Sequence, residues 1–287
     1  MEPDGSDLRF RAIYDKTVLT EKIQKGLMEM GTSKKTELRK ERQLLKKRKV
    51  MANRLFALGA VTMIAFIIYI VLVKVVNVAP IGPQFTVVGF SALNGAFHAL
   101  TGVNMFWYKV TKVLGILAIL TAAFFAGVGV FQLIKRRGIQ NVDRTILSTG
   151  ALYVVMMLFY VFFEKVVINY RPVIMEGEST PEASFPSTHT LLACVVFGST
   201  IMIIGRYLGR TVQAIVLQVA VGFLMLLTVI GRLICGVHWF TDIVGGVLLS
   251  AALLLFYGGV ITVWRSSNRR LKKKQKEKAE EFEYDED

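Results

Sequence analysis

Read for its alternation of apolar and polar stretches, the chain resolves into six long hydrophobic runs separated by polar links. The runs are Leu55 to Val73, Val113 to Ile134, Ile146 to Phe163, Ser187 to Ile204, Thr211 to Ile230, and Ile243 to Val263. A membrane-spanning helix needs about 20 predominantly apolar residues, so each run is long enough, or nearly so, to cross a bilayer. Glycines inside the runs do not break them, because a backbone in hydrocarbon has no hydrogen-bond partner other than its own helix. The pattern predicts an all-α fold, an integral membrane bundle of six transmembrane helices. Three regions follow: a basic N-terminal segment over 1–50, the six-span domain over 51–264, and a charged tail over 265–287.

Charge orients the bundle. The N-terminal segment ends in Lys46-Lys47-Arg48-Lys49, the link after the second run carries Lys135-Arg136-Arg137 and Arg144, the fourth link carries Arg206 and Arg210, and Arg265, Arg269-Arg270 and Lys272-Lys273-Lys274 follow the last run. Six spans put all four segments on one side, and the positive-inside rule makes that side the cytoplasm, with both termini there. The links on the other side are comparatively poor in Lys and Arg. The first run starts too far into the chain for a cleaved secretory signal and reads as a retained anchor. The first outer link holds a predicted short surface helix, Phe90 to Leu100, and an aromatic trio, Phe106-Trp107-Tyr108, that reads as an interfacial anchor.

Composition agrees. Apolar residues make up 53% of the 287, yet the formal net charge is +14, and mean hydropathy is +0.50. A soluble domain rarely combines these values; a membrane protein does so by segregating them. Two cysteines, Cys194 and Cys235, exclude a disulfide framework or a cysteine metal cluster and read as ordinary helix thiols. In the N-terminal segment, Phe10, Ile13, Tyr14 and Val18 recur among charges. Two readings stand: a basic amphipathic helix on the inner leaflet, or a solvated helical tail. The acidic end, Glu280 to Asp287, reads as a disordered solvating tail.

Polar and ionisable residues are scarce near the ends of membrane helices unless they have work to do. Three clusters break that expectation, all at the outer face. Arg171-Pro172 follows the third run, where proline stops the helix and arginine offers a fork of donors suited to phosphate oxygens. Pro186-Ser187-Thr188-His189 opens the fourth, with Ser187 placed to cap and the free N–H groups of the helix start ready for an anion. Arg232, His238 and Asp242 bracket the last link; His238 and Asp242 share a face if that segment is helical, so the carboxylate can orient the imidazole. Each alone has a plain explanation: a snorkelling arginine, a packing histidine, a helix cap. Two arginines, two of the chain's three histidines, an aspartate and a helix start on one face do not. The third histidine, His98, lies in the predicted surface helix.

With these clusters the sequence resembles the PAP2 (type 2 phosphatidic acid phosphatase) superfamily, whose signature runs Lys-x6-Arg-Pro, Pro-Ser-Gly-His, Ser-Arg-x5-His-x3-Asp. The second part stands here as Pro186-Ser187-Thr188-His189 and the third as Gly231-Arg232-(x5)-His238-(x3)-Asp242. By motif the likeness covers about Phe163 to Gly246, and by its six-span layout most of the chain. Three positions depart from the pattern. Thr188 replaces the glycine, Gly231 replaces the serine, and the lysine slot before Arg171 holds Glu164, with Lys165 one residue closer. On a regular helix that slip turns the side chain by about 100°.

The resemblance implies a PAP2/haloperoxidase-like bundle of the bacterial six-span type. It implies a metal-independent lipid phosphatase with no cofactor, in which His238 is the nucleophile, Asp242 orients it, and His189 is the general acid and then base. Arg171, Arg232, Ser187, Thr188 and, in place of the motif lysine, Lys165 would bind the phosphate oxygens. The implied partners are a lipid phosphate and the surrounding membrane lipids, with no nucleic acid; the oligomeric state stays open. Polyprenyl diphosphate leads the candidate substrates, ahead of phosphatidylglycerol phosphate and phosphatidic acid. The implied place is the cell membrane, with the active site on the extracytoplasmic face. A vanadium haloperoxidase uses the same kind of site but is soluble in its known members. The remaining alternative is a non-catalytic or weakly catalytic protein that binds or transports a lipid phosphate.

Overall fold

In a computed structural model, the described residues form seven α-helices, six of which carry the apolar runs and are long and apolar enough to cross a membrane. The structure describes the backbone of residues 5–284 and the side chains of residues 36, 37, 39, 40 and 42–264. Phe10, Ile13, Tyr14, Val18 and the basic and acidic side chains after position 264 therefore lie outside the described residues. The chain divides into two compact units, Met1–Val50 and Met51–Asp287. The first is helical from Gly5 onward; the second holds the bundle and every candidate site residue.

The helices are α1 (Gly5–Val75), α2 (Ser91–Thr101), α3 (Met105–Arg136), α4 (Arg144–Lys165), α5 (Thr188–Tyr207), α6 (Val212–Ile234) and α7 (Phe240–Tyr284). Among the described residues there is no strand, only the isolated bridges Ala79 to Val88 and Tyr170 to Ala183. The predicted surface helix is α2. Two elements differ from expectation. The C-terminal tail, expected to be disordered, continues α7 as far as Tyr284; its Lys, Glu and Ala residues are good helix formers. Helix α3 begins at Met105, well before the apolar run at Val113. Asn104 caps it by accepting a hydrogen bond from the Trp107 amide at 3.2 Å. A helix ends where its backbone is capped, not where its side chains turn polar.

Burial ranks the helices. In α5 and α7, 56% of the central span window is buried, against 17% to 28% in the other four. These two form the axis of the bundle. Phe185, Leu191, Val195, Leu249 and Leu253 pack in its core with Phe66 and Val73 of α1 and Phe163 of α4. Large apolar side chains such as Ile64, Ile67, Phe124, Leu158 and Phe223 face outward. Small hydroxyls point inward: Thr149 meets Tyr257 at 2.9 Å and Tyr153 meets Ser199 at 3.1 Å. Lipid tails are as apolar as leucine, so helices in a bilayer associate through close packing and such polar pairs.

The links 76–104, 166–187 and 235–239 are tied together at one end. Lys74 donates to the Val167 carbonyl at 3.4 Å, the Asn104 amide to the Cys235 carbonyl at 3.1 Å, and Trp239 Nε1 to the Tyr170 carbonyl at 2.7 Å. That end carries the polar clusters.

Candidate active site

Each predicted cluster arrives at this end on a different helix terminus. Arg171 follows the end of α4, Ser187 precedes the start of α5, Arg232 sits in the last turn of α6, and His238 and Asp242 flank the start of α7. The charges acting on the His189 ring are those of Arg232, His238, Arg171 and Lys112, in that order. Residues spread over more than a hundred positions of sequence are thus electrostatic neighbours.

Arg232 is only 1% exposed. Its Nε and both terminal nitrogens are buried and receive no hydrogen-bond partner from the protein. Its position at the carboxyl end of α6 favours a cation, and the Tyr108 ring lies 5.2 Å from its Cζ. The extra turns of α3 supply that ring. The aromatic trio expected to anchor the chain at the interface thus has a second role. Phe106 is exposed, but Trp107 and Tyr108 pack against the Arg232 turn.

His238 is buried and neither ring nitrogen has a hydrogen-bond partner in the protein. Its Nδ1 lies 3.8 Å from Asp242 Oδ2, an ion-pair separation too long for a hydrogen bond. The shared helical face expected for this pair does not form, because α7 begins at Phe240 and His238 lies before it. Instead Asp242, in the first turn, reaches back. Its Oδ2 accepts from the Trp239 amide at 2.9 Å and its Oδ1 from Asn169 Nδ2 at 3.1 Å. Burial holds the His238 imidazole below its ordinary pKa. Asp242 opposes the fall, while the charges of Arg171 and Arg232 add to it. The ring is therefore neutral near pH 7, with Nε2 turned away from the carboxylate.

Ser187 is fully buried, but its side chain does not cap α5 as the sequence suggests. The hydroxyl instead accepts from Thr190 Oγ1 at 3.0 Å, and the Ser187 amide donates to the Asp242 carbonyl at 3.0 Å. This leaves the first N–H groups of α5, at Thr188 and His189, without a side-chain cap, a setting that favours an anion. Pro186, expected in the first turn, precedes it in a cis peptide with Phe185. Arg171 Nε lies 3.0 Å from Glu182 Oε2. Glu164, the other carboxylate near this arginine in sequence, is exposed, and so is Lys165 at the end of α4. The lysine that shares a cavity with His189 and Thr188 is Lys112 of α3.

Several residues of this site carry no motif. Asn94 is fully buried on α2; its Nδ2 donates to Thr241 Oγ1 at 3.0 Å and its Oδ1 accepts from the Thr241 amide at 3.2 Å. With Asn169 it fixes the start of α7 and so the Asp242 carboxylate. Their sequence signal is slight: one amide two residues before Arg171, another in a short amphipathic helix. His98 packs edge-on to Trp239 at 5.6 Å, and burial lowers its pKa.

Span-length helices joined at a largely buried cluster of arginines, histidines and a helix start define a multi-pass membrane protein with a polar candidate site at one end of its bundle. Residues 85–268 match the PAP2 superfamily, and the chain belongs to that superfamily. Among solved structures it is similar to the first transmembrane PAP2-type phosphatidylglycerolphosphate phosphatase from Bacillus subtilis. Identity is 18% over 70% of this chain and 93% of that one, with a TM-score of 0.48. No curated protein matches the chain. Membership of the superfamily supports phosphatase activity on a lipid phosphate.

Proposed function

We propose that this protein hydrolyses a phosphomonoester or pyrophosphate of a membrane lipid through a phosphohistidine. The observation that carries the reading is Arg232: a cation almost wholly buried, with three unpartnered donors, beside a neutral imidazole and an uncapped helix start. An uncompensated buried charge is costly. A phosphate dianion supplies the compensation and takes up the donors. Arg171 adds a second guanidinium once the anion competes with Glu182, whose exposed pairing is worth about 1 kcal/mol or less.

The chemistry follows from the placement. His238 Nε2, with Nδ1 turned to Asp242, attacks phosphorus, and the bond from phosphorus to the lipid oxygen breaks. His189 gives that oxygen its proton. Water then attacks the phosphohistidine, loses a proton to His189 and releases inorganic phosphate from Nε2. Arg171, Arg232, Ser187 and the amides of Thr188 and His189 hold the equatorial oxygens, where phosphoryl transfer gathers charge. The reaction so drawn uses no metal. The basic links of the opposite end support a site that faces away from the cytoplasm.

A lipid substrate is favoured by the cavity of about 460 Å³ between α3, α4 and α5, whose walls are mainly apolar and which reaches His189 and Thr188. Purified protein in detergent, with a chelator present, should release phosphate from a lipid phosphate and carry a covalent label on His238. His238→Ala and His189→Ala should each abolish release without preventing membrane insertion. Saturable binding with no turnover and no label would identify a binding protein instead.

A further inference from the structure

Toward the end of the bundle opposite the candidate active site, α4 and α7 are joined by the Thr149–Tyr257 hydrogen bond, yet they leave a cavity of about 620 Å³ between them. Leu147, Ala151 and Val155 of α4 and Leu253, Phe256 and Val260 of α7 form its walls. The three α4 side chains are exposed, so the space opens outward from the bundle. Its lining runs from Arg144 to Val155 on one helix and from Trp264 back to Leu253 on the other, about 16 Å along each axis. One leaflet supplies half of a hydrocarbon core about 30 Å thick. The groove is therefore about as deep as one leaflet, a fit for an acyl chain.

Its mouth is polar and carries one sign of charge. Arg144 lies over the Trp264 ring, with Cζ 4.6 Å from the centroid, and Gln140 shares that end of the lining. Stacking uses the face of a guanidinium and leaves its in-plane N–H groups for a bidentate acceptor. Among the described residues Arg144 has no ion pair, and no acidic residue lines the cavity. Asp143, its neighbour in sequence, is engaged elsewhere: Oδ1 accepts from the Thr145 amide at 2.7 Å, and Tyr207 and Arg206 meet the same carboxylate. Trp264 Nε1 is buried without a hydrogen-bond partner, although a buried indole N–H usually finds one. A snorkelling arginine beside an interfacial tryptophan would leave both polar tips in water. Here the indole tip is withdrawn from it.

We infer that this groove binds an anionic phospholipid of the leaflet opposite the active-site end, with one acyl chain between α4 and α7 and the headgroup phosphate on Arg144. The mouth decides the headgroup. Phosphatidylglycerol brings a net negative charge to the guanidinium and puts acceptor oxygens beside the orphaned indole N–H. Phosphatidylcholine adds a quaternary ammonium, which finds a cation there and no carboxylate. The inference does not depend on the phosphatase reading.

The test is native mass spectrometry of the full chain in detergent, titrated with phosphatidylglycerol and with phosphatidylcholine of the same acyl chains. Wild type should bind phosphatidylglycerol about tenfold to a hundredfold more tightly, the scale of a hydrogen bond to a charged group. Arg144→Gln should bring that affinity down to the phosphatidylcholine value, and Arg144→Lys should keep a preference. Ala151→Phe, which fills the groove and leaves the mouth intact, should weaken both lipids. If it fails to fold, the two Arg144 variants still decide the headgroup. Arg232→Gln, at the other end of the bundle, should leave the preference unchanged. Equal binding of the two lipids by wild type, an unchanged preference in Arg144→Gln, or wild-type binding in Ala151→Phe would each overturn the inference. A preference lost in Arg232→Gln instead would put the lipid in the candidate active site. A dimer that Ala151→Phe disrupts, with no lipid retained, would give the groove to a second copy of the chain; either result sinks the lipid site.

Discussion

Restoring the family's serine at position 231 tests how tightly α3 is packed against the arginine turn of α6. A β-carbon built on Gly231 would lie 2.6 Å from Thr111 Cγ2 and 3.2 Å from Trp107 Cε3, where carbon atoms in contact prefer about 3.5–4.0 Å. Thr111 cannot easily yield. It is fully buried, its hydroxyl bonds the Trp107 and Tyr108 carbonyls at 2.9 and 3.0 Å, and a β-branched side chain has few rotamers in a helix. Gly231→Ser must therefore push α3 outward, at the usual cost of overpacking, about 1–3 kcal/mol. The same shift moves Tyr108 off Arg232 and loosens a contact worth about 0.5–2 kcal/mol. Thermal unfolding in detergent should fall by a few degrees for each kcal/mol lost, with phosphate release falling alongside. Thr111→Ser keeps both hydroxyl bonds and deletes the colliding methyl. In the double variant it should recover most of the loss, a coupling of about 1–2 kcal/mol. A Gly231→Ser protein as stable and active as wild type would refute the packing argument, and so would a Thr111→Ser partner that gives no recovery.

Two further outcomes follow from the site. Asn169→Ala removes the hydrogen bond to Asp242 Oδ1; a bond to a charged group is worth about 1.5–3 kcal/mol, so kcat should drop by about tenfold to a hundredfold while the far-ultraviolet dichroism keeps its helical signature. Wild-type kcat in that variant would remove Asn169 from the positioning of Asp242. Because burial keeps His238 below its ordinary pKa of about 6.5, the nucleophile stays neutral in mildly acidic solution. The acid limb of kcat/KM, corrected for the separately titrated ionisation of the substrate, should lie below pH 6.5; a limb at or above that value that disappears on replacing His238 would contradict the buried setting. The same lowered pKa makes the unfolded chain bind more protons than the folded one just below pH 6.5, so stability should decline as pH falls through that region.

The sequence alone determined the membrane layout and the chemical types at the site. Long apolar runs can satisfy their backbone only as helices, and ionisable groups at the ends of such runs stand out because lipid tolerates few of them. For that reason Arg171, His189, Arg232, His238 and Asp242 were legible before any contact was known. What the tertiary structure decided is how those groups are held, since holding depends on neutral residues whose meaning comes only from their neighbours. Asn94 and Asn169 look like ordinary amides until Thr241 and Asp242 are brought against them. Gly231 looks like a lost hydroxyl until Thr111 fills the space where a side chain would go. Lys165 sits nearest the motif lysine in sequence, yet of these two exposed lysines it is Lys112, on a helix that carries no motif, that lines the cavity with His189. Helix periodicity says which way a side chain faces around its own axis; only the packing of one helix on another says what it meets there.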